Sequence, residues 1–320
     1  MMKILVTGAA GFIGSHLCER LLQMKDIDVI GIDGLINPSL NLTKQRNLRM
    51  LLPNPRFQFH QVDLRQADLK RLLDGVQVVY HLAGMPGVRT SWGTEFQAYV
   101  DHNIMATQIL LEAVRECPLE KLIYVSTSSV YGEKMGKVAE ESIPAPLSPY
   151  GVSKLTGEYL CKVYHVSYGI PIVVLRYFTV YGPRQRSDMA FHRFIKGILQ
   201  REPIKIYGDG KQTRDFTFIG DCVEGTVAAL QADGVIGETI NIGGKERASI
   251  LEVIAFIEYL LGAKATLEFR GRLKGEPRDT WADIAKAQTL LNYCPATNLI
   301  TGLEQQINDM SPNFDFRAHR

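Results

Sequence analysis

Lys3-Ile-Leu-Val-Thr7-Gly8-Ala-Ala-Gly11-Phe12-Ile13-Gly14 reads as an apolar strand that breaks on three glycines and re-forms as a helix. Ile4, Leu5 and Val6 are apolar without alternation, so such a strand has to be covered on both faces. Glycines let the chain turn sharply, bring backbone N–H groups close to a diphosphate and pack the helix against the strand. The N-terminus of that helix favours an anion at the same point. The spacing is G-x-x-G-x-x-G rather than the commoner G-x-G-x-x-G, so on this stretch alone a purely structural turn is the alternative.

Outward from it, short β-branched runs at residues 3–7, 28–32, 57–62, 76–81 and 121–126 alternate with helical patterns at 12–24, 66–73 and 92–115. The alternation predicts an α/β fold, a Rossmann-type doubly wound parallel sheet. A helix over 150–168 and a strand over 172–177 continue it. Beyond these the texture changes to Gly- and Pro-punctuated loops, including Gly208-Asp-Gly210 and Gly243-Gly244. The expected division is therefore 1–181, mainly dinucleotide-binding, and 182–320, mainly a smaller C-terminal substrate-binding lobe, with some chain exchanged between them.

The chain has 320 residues, 46% hydrophobic and 22% charged, a balance that excludes the disordered and fibrous classes. Its net charge is +2 with Lys and Arg dispersed, which argues against nucleic acid as a partner. Cys18, Cys117, Cys161, Cys222 and Cys294 are odd in number and have no metal-ligand spacing, so free thiols, no metal and a reducing compartment are expected. No apolar run reaches the ~18 residues that cross a bilayer, so no membrane is expected. The first ten residues suit the glycine-turn strand better than a signal peptide, and the expected location is the cytoplasm.

Asp33 closes the second strand nineteen residues after Gly14. A carboxylate there accepts hydrogen bonds from the adenosine ribose and repels a 2′-phosphate, which favours NAD over NADP; the bland alternative is a turn residue. Asp63 closes the third strand and has two readings of equal weight, contact with the adenine edge or the N-cap of the helix over 66–73.

The run Tyr150-Gly-Val-Ser-Lys154 puts a phenol and an ammonium on one helix face. Tyrosine is a poor base because its reference pKa is ~10, and a nearby cation, aided by a nicotinamide ring, lowers it. Alone the pair is a common helix-surface coincidence. Ser126-Thr-Ser-Ser-Val-Tyr-Gly132, however, gathers hydroxyls at the end of the fifth strand, where open α/β sheets bind ligands.

With these stretches in order, the chain resembles the extended short-chain dehydrogenase/reductase family, in its NAD-dependent sugar-nucleotide epimerase/dehydratase branch, over essentially its whole length. The resemblance implies a tightly bound NAD, regenerated each turnover, on the glycine turn (Gly8, Gly11, Phe12, Ile13, Gly14) and on Asp33, Asp63 and Leu64. It adds Leu82-Ala83-Gly84, Asn103, Tyr150 and Lys154 to that cofactor set. It implies that Thr127 is the hydroxyl member of the catalytic group, Tyr150 the acid and base, and Lys154 the residue that tunes Tyr150 and holds the nicotinamide ribose. Arg214, in Gln212-Thr-Arg-Asp-Phe216, matches the arginine for the nucleotide diphosphate, a task its forked donors suit.

Related dehydratases carry Asp-Glu after the catalytic Thr, and related UDP-glucuronate decarboxylases carry Thr-Ser-Glu; here Ser128 and Ser129 follow Thr127. Epimerisation is left as the leading chemistry. The run Arg176-Tyr-Phe-Thr-Val-Tyr-Gly-Pro-Arg-Gln-Arg-Ser-Asp-Met-Ala190 resembles that of UDP-glucuronate 4-epimerases, although Ser187 stands where they commonly have Pro. That resemblance implies that Thr179 and Arg186 receive a sugar carboxylate, with Ser128 and Ser129 beside it. Arg89, in Pro86-Gly-Val-Arg89, is a further candidate for phosphate or carboxylate, with an exposed structural arginine as the alternative. The expected activity is conversion of UDP-glucuronate to UDP-galacturonate through a 4-keto sugar. A UDP-glucuronate decarboxylase, a UDP-glucose 4-epimerase and a non-enzymatic NAD-binding sensor or scaffold are the rivals. Apolar stripes over 92–115 and 150–168, which relatives pair across a two-fold axis, imply a homodimer; the alternative is that they cover the sheet.

Overall fold

In the computed structural model, which describes residues 1–312, Ile4, Leu5 and Val6 are fully buried in the middle of a sheet. In chain order the first half comprises β1 (Met2–Thr7), α1 (Phe12–Gln23), β2 (Ile27–Asp33), α2 (Asn41–Leu51), β3 (Phe57–Gln61), α3 (Leu69–Leu72), β4 (Val78–His81), α4 (Phe96–Tyr99), α5 (Ala106–Val114) and β5 (Lys121–Thr127). It continues through α6 (Pro149–Tyr168), β6 (Ile172–Tyr177), β7 (Thr179–Tyr181), α7 (Ala190–Gln200), β8 (Ile204–Tyr207), β9 (Thr213–Phe218) and α8 (Ile219–Gln231). The last described elements are β10 (Thr239–Ile242), β11 (Glu246–Ser249), α9 (Ile250–Leu261), β12 (Leu267–Arg270), α10 (Ala285–Leu291) and α11 (Leu299–Met310).

Among the described residues one seven-stranded sheet runs β10-β6-β5-β4-β1-β2-β3, parallel throughout. This is the Rossmann-type doubly wound sheet. Alternate residues feed opposite faces: Ile4, Val6 and Val173 join the core that includes Leu17 and Leu21 of α1. Leu5, Val79 and Val174 join the one that includes Leu110 of α5 and Cys161 of α6. Burying each large apolar side chain contributes roughly 1.5–3 kcal/mol, which explains why unbroken apolar strands settle at the centre. Strand order reverses between β1 and β4, the switch point outside whose carboxyl ends ligands bind in such sheets. Two small sheets, β11-β9-β7 and β12-β8, lie beyond β6 in sequence, yet β10 returns to pair with β6 in the main sheet.

Helix α6 has readable ends. Ser148 caps it by accepting from the Gly151 N–H at 3.1 Å, Pro149 occupies its first turn and Gly169 ends it at φ 71°. Two other helices depart from expectation. The pattern over 66–73 condenses into the single turn of α3, capped by Asp68 rather than Asp63, with the Arg71 N–H donating to its carboxylate at 3.2 Å. The pattern over 92–115 is broken into a 3₁₀ turn (Gly93–Glu95), α4, a π-helical segment (Val100–Met105) and α5. Helix α2 was not expected, because only Leu48, Leu51 and the polar Asn47 of its eleven residues are buried.

Candidate active site

The glycine turn is built as tightly as its sequence demands. The Gly11 N–H donates to the Gly8 carbonyl at 3.0 Å, and a Cβ on Gly14 would lie 2.2 Å from that same oxygen. Gly8 sits at φ +73°, where a Cβ would meet the Ala83 nitrogen at 2.9 Å. Phe12 is buried and Ile13 half-buried behind the turn. No described side chain caps α1 and its first turn holds no acid, so its N–H groups are open to an anion. This cradle fits a dinucleotide diphosphate.

Asp33 ends β2 and is buried, accepting from the Leu35 N–H at 2.9 Å and from Lys44 at 2.8 Å. Asp63 lies two residues beyond the end of β3, where Arg65 chelates it at 2.7 and 3.2 Å and holds its carboxyl below the usual range. Leu64 beside it is buried. The Leu82-Ala83-Gly84 run leaves β4 with the Ala83 N–H on the Thr7 hydroxyl at 3.0 Å. A Cβ on Gly84 would be 2.7 Å from Asn103 Oδ1. Asn103, in the π-helical segment, accepts from the Met85 N–H at 2.6 Å and donates to the Met85 carbonyl at 3.0 Å and the Ser153 hydroxyl at 2.9 Å. Ser153 in turn donates to the Tyr150 carbonyl at 2.8 Å. Asn103 thus links the β4 loop to the helix carrying Tyr150, and π-helical segments concentrate at such places.

Thr127 is the last residue of β5, and its hydroxyl accepts from the Ser129 N–H at 3.2 Å and donates to the Ser129 hydroxyl at 3.3 Å. Ser128 begins the turn that follows. Tyr150, in the first turn of α6, meets Tyr99 edge to face at 6.1 Å. Burial raises its phenol above the ordinary value, neighbouring Thr127 and the charge of Arg186 pull it back, and Tyr99 raises it again. Lys154 is buried with its ammonium 4.2 Å from the centre of the Tyr124 ring. Burial lowers its pKa to about 8 against the opposing effects of Cys161 and Glu158. Among the described cations it is Arg186 whose charge acts on Tyr150.

Thr179 opens β7 and pairs with Phe216 of β9. Arg186 forks onto Asp188 at 2.9 and 2.7 Å. The loop between them is fastened at both sides. Arg184, at φ +64°, grips Glu19 of α1 through two 2.7 Å bonds, and Gln185 is buried and accepts from Gln306 of α11 at 2.9 Å. Arg214 donates to the Thr213 and Arg278 carbonyls at 2.8 and 3.0 Å, and its other nitrogen lies 3.9 Å from Glu276. Arg89, exposed and stacked 4.8 Å from the Tyr207 ring centre, donates to the same Glu276 at 2.6 Å.

Tyr150, Thr127 and Arg186 are therefore brought together, as are Arg89 and Arg214. Lys44, Ser153 and Glu276 were missed by the sequence reading. Ser153 lay within Tyr150-Gly-Val-Ser-Lys154 and carried a signal, its helical spacing of three from Tyr150. Lys44 and Glu276 carried none, since their partners come from other segments.

The signature of the NAD dependent epimerase/dehydratase family matches residues 4–243. A Bacillus subtilis protein named uncharacterized UDP-glucose epimerase YtcB is 60% identical, over 97% of this chain and 98% of its own. The UDP-glucuronate 4-epimerase of Thermodesulfobacterium geofontis is 42% identical, over 97% of each. The crystal structure of UDP-glucuronic acid 4-epimerase from Bacillus cereus, in complex with UDP-glucuronic acid and NAD, is 58% identical. It superposes with a TM-score of 0.96 over 97% of this chain and 99% of that one.

Proposed function

Because the chain belongs to the NAD dependent epimerase/dehydratase family, we propose that it interconverts UDP-glucuronate and UDP-galacturonate by inverting C4, with Tyr150 as acid and base. The observation that carries this reading is Arg186, a cation suited to a carboxylate that forks onto the carboxylate of Asp188 at 2.9 and 2.7 Å in the loop after β7. The Bacillus cereus enzyme crystallised with UDP-glucuronic acid and NAD supports it.

NAD, held by the glycine turn, Asp33, Asp63, Leu64, the Leu82-Ala83-Gly84 run, Asn103 and Lys154, supplies reversible oxidation at C4 without net redox change, so it stays bound between turnovers. Tyr150 takes the proton of the C4 hydroxyl as that carbon becomes a ketone, then returns it to the inverted alcohol. Thr127, the last residue of β5, holds the same hydroxyl. Arg89 and Arg214 hold the diphosphate, releasing Glu276. Thr179, Arg186, Ser128 and Ser129 hold the carboxylate. A 4-keto uronate is a β-keto acid that loses carbon dioxide most readily when the breaking bond aligns with the carbonyl π system, so this grip keeps the bond out of alignment.

Residues 1–181 serve mainly the cofactor and 182–320 mainly the substrate, with β10 crossing between them; residues 313–320 lie outside the described ones. The reading carries with it a homodimer and a cytoplasmic enzyme, the second open to test by cell fractionation. No helix among the described residues is long and apolar enough to cross a membrane.

The experiment is incubation of purified protein with UDP-glucuronate and analysis of the product. UDP-galacturonate is expected; a UDP-pentose alone would refute the reading. UDP-glucose in a parallel incubation tests the second reading, which the name of the Bacillus subtilis relative favours. Faster turnover of the neutral sugar would establish that one instead.

A further inference from the structure

Behind the sheet-facing side of α6 lies a buried ion pair with no part in the chemistry above. Arg176 of β6 forks onto Glu158 at 3.0 and 2.7 Å, and the two side chains are only 7% and 8% exposed. Glu158 also accepts from the Ser126 hydroxyl of β5. The remaining Arg176 nitrogen donates to the Glu140 carbonyl at 3.2 Å, and the guanidinium lies 4.7 Å from the Tyr131 ring centre. The Tyr131 hydroxyl donates to Asn241 at 2.7 Å. Strand register sets Ser126, Arg176 and Asn241 side by side on β5, β6 and β10.

Stability does not explain such a cluster, because desolvating two charges often offsets their attraction and an apolar pair of similar volume is often as stable. Its connections are more telling. Glu158 lies one helical turn past Lys154 and two past Tyr150, Ser126 immediately precedes Thr127, and Arg176 lies three residues before Thr179. Gly157 permits the close approach, since a Cβ there would be 2.0 Å from the Tyr124 hydroxyl. The Glu158 charge also supports the Lys154 ammonium against burial.

We propose that Glu158 is a positioning residue that locks α6 to the ends of β5 and β6, so that Tyr150 and Thr127 address one C4 atom while Thr179 meets the carboxylate beside it. The proposal rests on the C4-epimerase reading. A misplacement of about 1 Å between reacting groups lowers rates by about 10²-fold, so a lock of this kind acts on kcat more than on substrate affinity.

The decisive variant is the apolar double replacement Glu158→Leu/Arg176→Met, measured beside wild type for Tm, retained NAD, KM and kcat on UDP-glucuronate. Expected are near-wild-type Tm and retained NAD, KM within about threefold, and kcat down by about thirtyfold or more. Recovery of both Tm and kcat would overturn the proposal, because the pair would then only fill space. Should the double variant not fold, Ser126→Ala leaves the ion pair intact and removes one tie of the lock. Its kcat should fall about three- to tenfold at unchanged Tm and NAD content, and an unchanged kcat overturns the proposal. A wild-type chain inactive on UDP-glucuronate refutes the epimerase reading and this inference with it, whereas unchanged kcat beside an active wild type refutes the inference alone.

Discussion

Tyr150 stands between burial, which keeps its proton on, and Thr127 and Arg186, which draw it off. Tyr150→Phe removes the proton-carrying oxygen and leaves the ring, so kcat should fall by about 10²–10⁴-fold, the usual share of general acid–base catalysis. NAD should remain bound, as absorbance of the purified variant will report; substantial activity would end Tyr150's assigned role. Arg186→Ala acts twice. It should lower kcat/KM for UDP-glucuronate by about 10²-fold more than for UDP-glucose, as expected for the loss of hydrogen bonds to a charged group. Equal losses on both substrates would count against the carboxylate assignment. UDP-glucose brings no carboxylate to neutralise the arginine, so its pH profile isolates the second effect. A cation stabilises the phenolate; without Arg186 the Tyr150 pKa rises, and the acid limb of the rate profile should move to higher pH. At this scale a contact is readable from sequence only where both partners lie within one turn of helix, as Ser153 and Tyr150 do. It was not legible where a partner comes from elsewhere, as Lys44 does to Asp33, and Arg186 was readable as an anion binder but not as a neighbour of the phenol.

Elements were legible in proportion to how much of their surface is buried. Strand β1 and helix α6 declare themselves through an unbroken apolar run and through caps at both ends, whereas α2 exposes Leu42 and Met50 and buries Asn47. Residue type likewise gives no mark of a π-helical turn, so the break at Val100–Met105 inside an apolar pattern was invisible. Yet α2 acts on the cofactor cradle, because Asn47 donates to the Ala10 carbonyl inside the glycine turn at 3.0 Å. The turn itself makes the sharpest prediction at this scale. Gly14→Ala directs a methyl at a backbone oxygen 2.2 Å away, which no side-chain movement relieves, so α1 has to shift away from β1. Purified Gly14→Ala should have lost its NAD and melt several degrees lower, the size of a ~1–3 kcal/mol overpacking defect. Full NAD occupancy at unchanged Tm would show that the turn is looser than its contacts require.

For the molecule as a whole, the parallel direction of the first six strands followed from alternation alone, but the return of β10 to the sheet edge did not, because nothing local in Thr239–Ile242 specifies a partner so distant in sequence. The outer face of the catalytic helix raises the remaining question at this scale. Val152, Tyr159, Val163 and Val166 of α6 are 44%, 57%, 56% and 75% exposed, at spacings that keep them on one stripe facing away from the sheet. Met105, just before α5, is exposed as well. A stripe so exposed does not serve to cover the sheet, and a two-fold axis through it would lay it against its own copy. A stable interface buries about 1,200–2,000 Å², which one helix face does not supply, so the neighbouring helix has to join it. The proposed homodimer predicts that replacing both Val163 and Val166 by Asp converts a particle of twice the chain mass into one of a single chain mass, as read by light scattering. Unaltered mass would exclude this face as the interface. Because the sheet-facing side of the same helix is held separately, by Glu158 on Arg176 and by Gly157 against Tyr124, the monomer should keep kcat within about threefold of wild type if α6 is positioned from within its own chain. A monomer that retains NAD but loses most of its kcat would instead mean that the partner helix helps to place Tyr150.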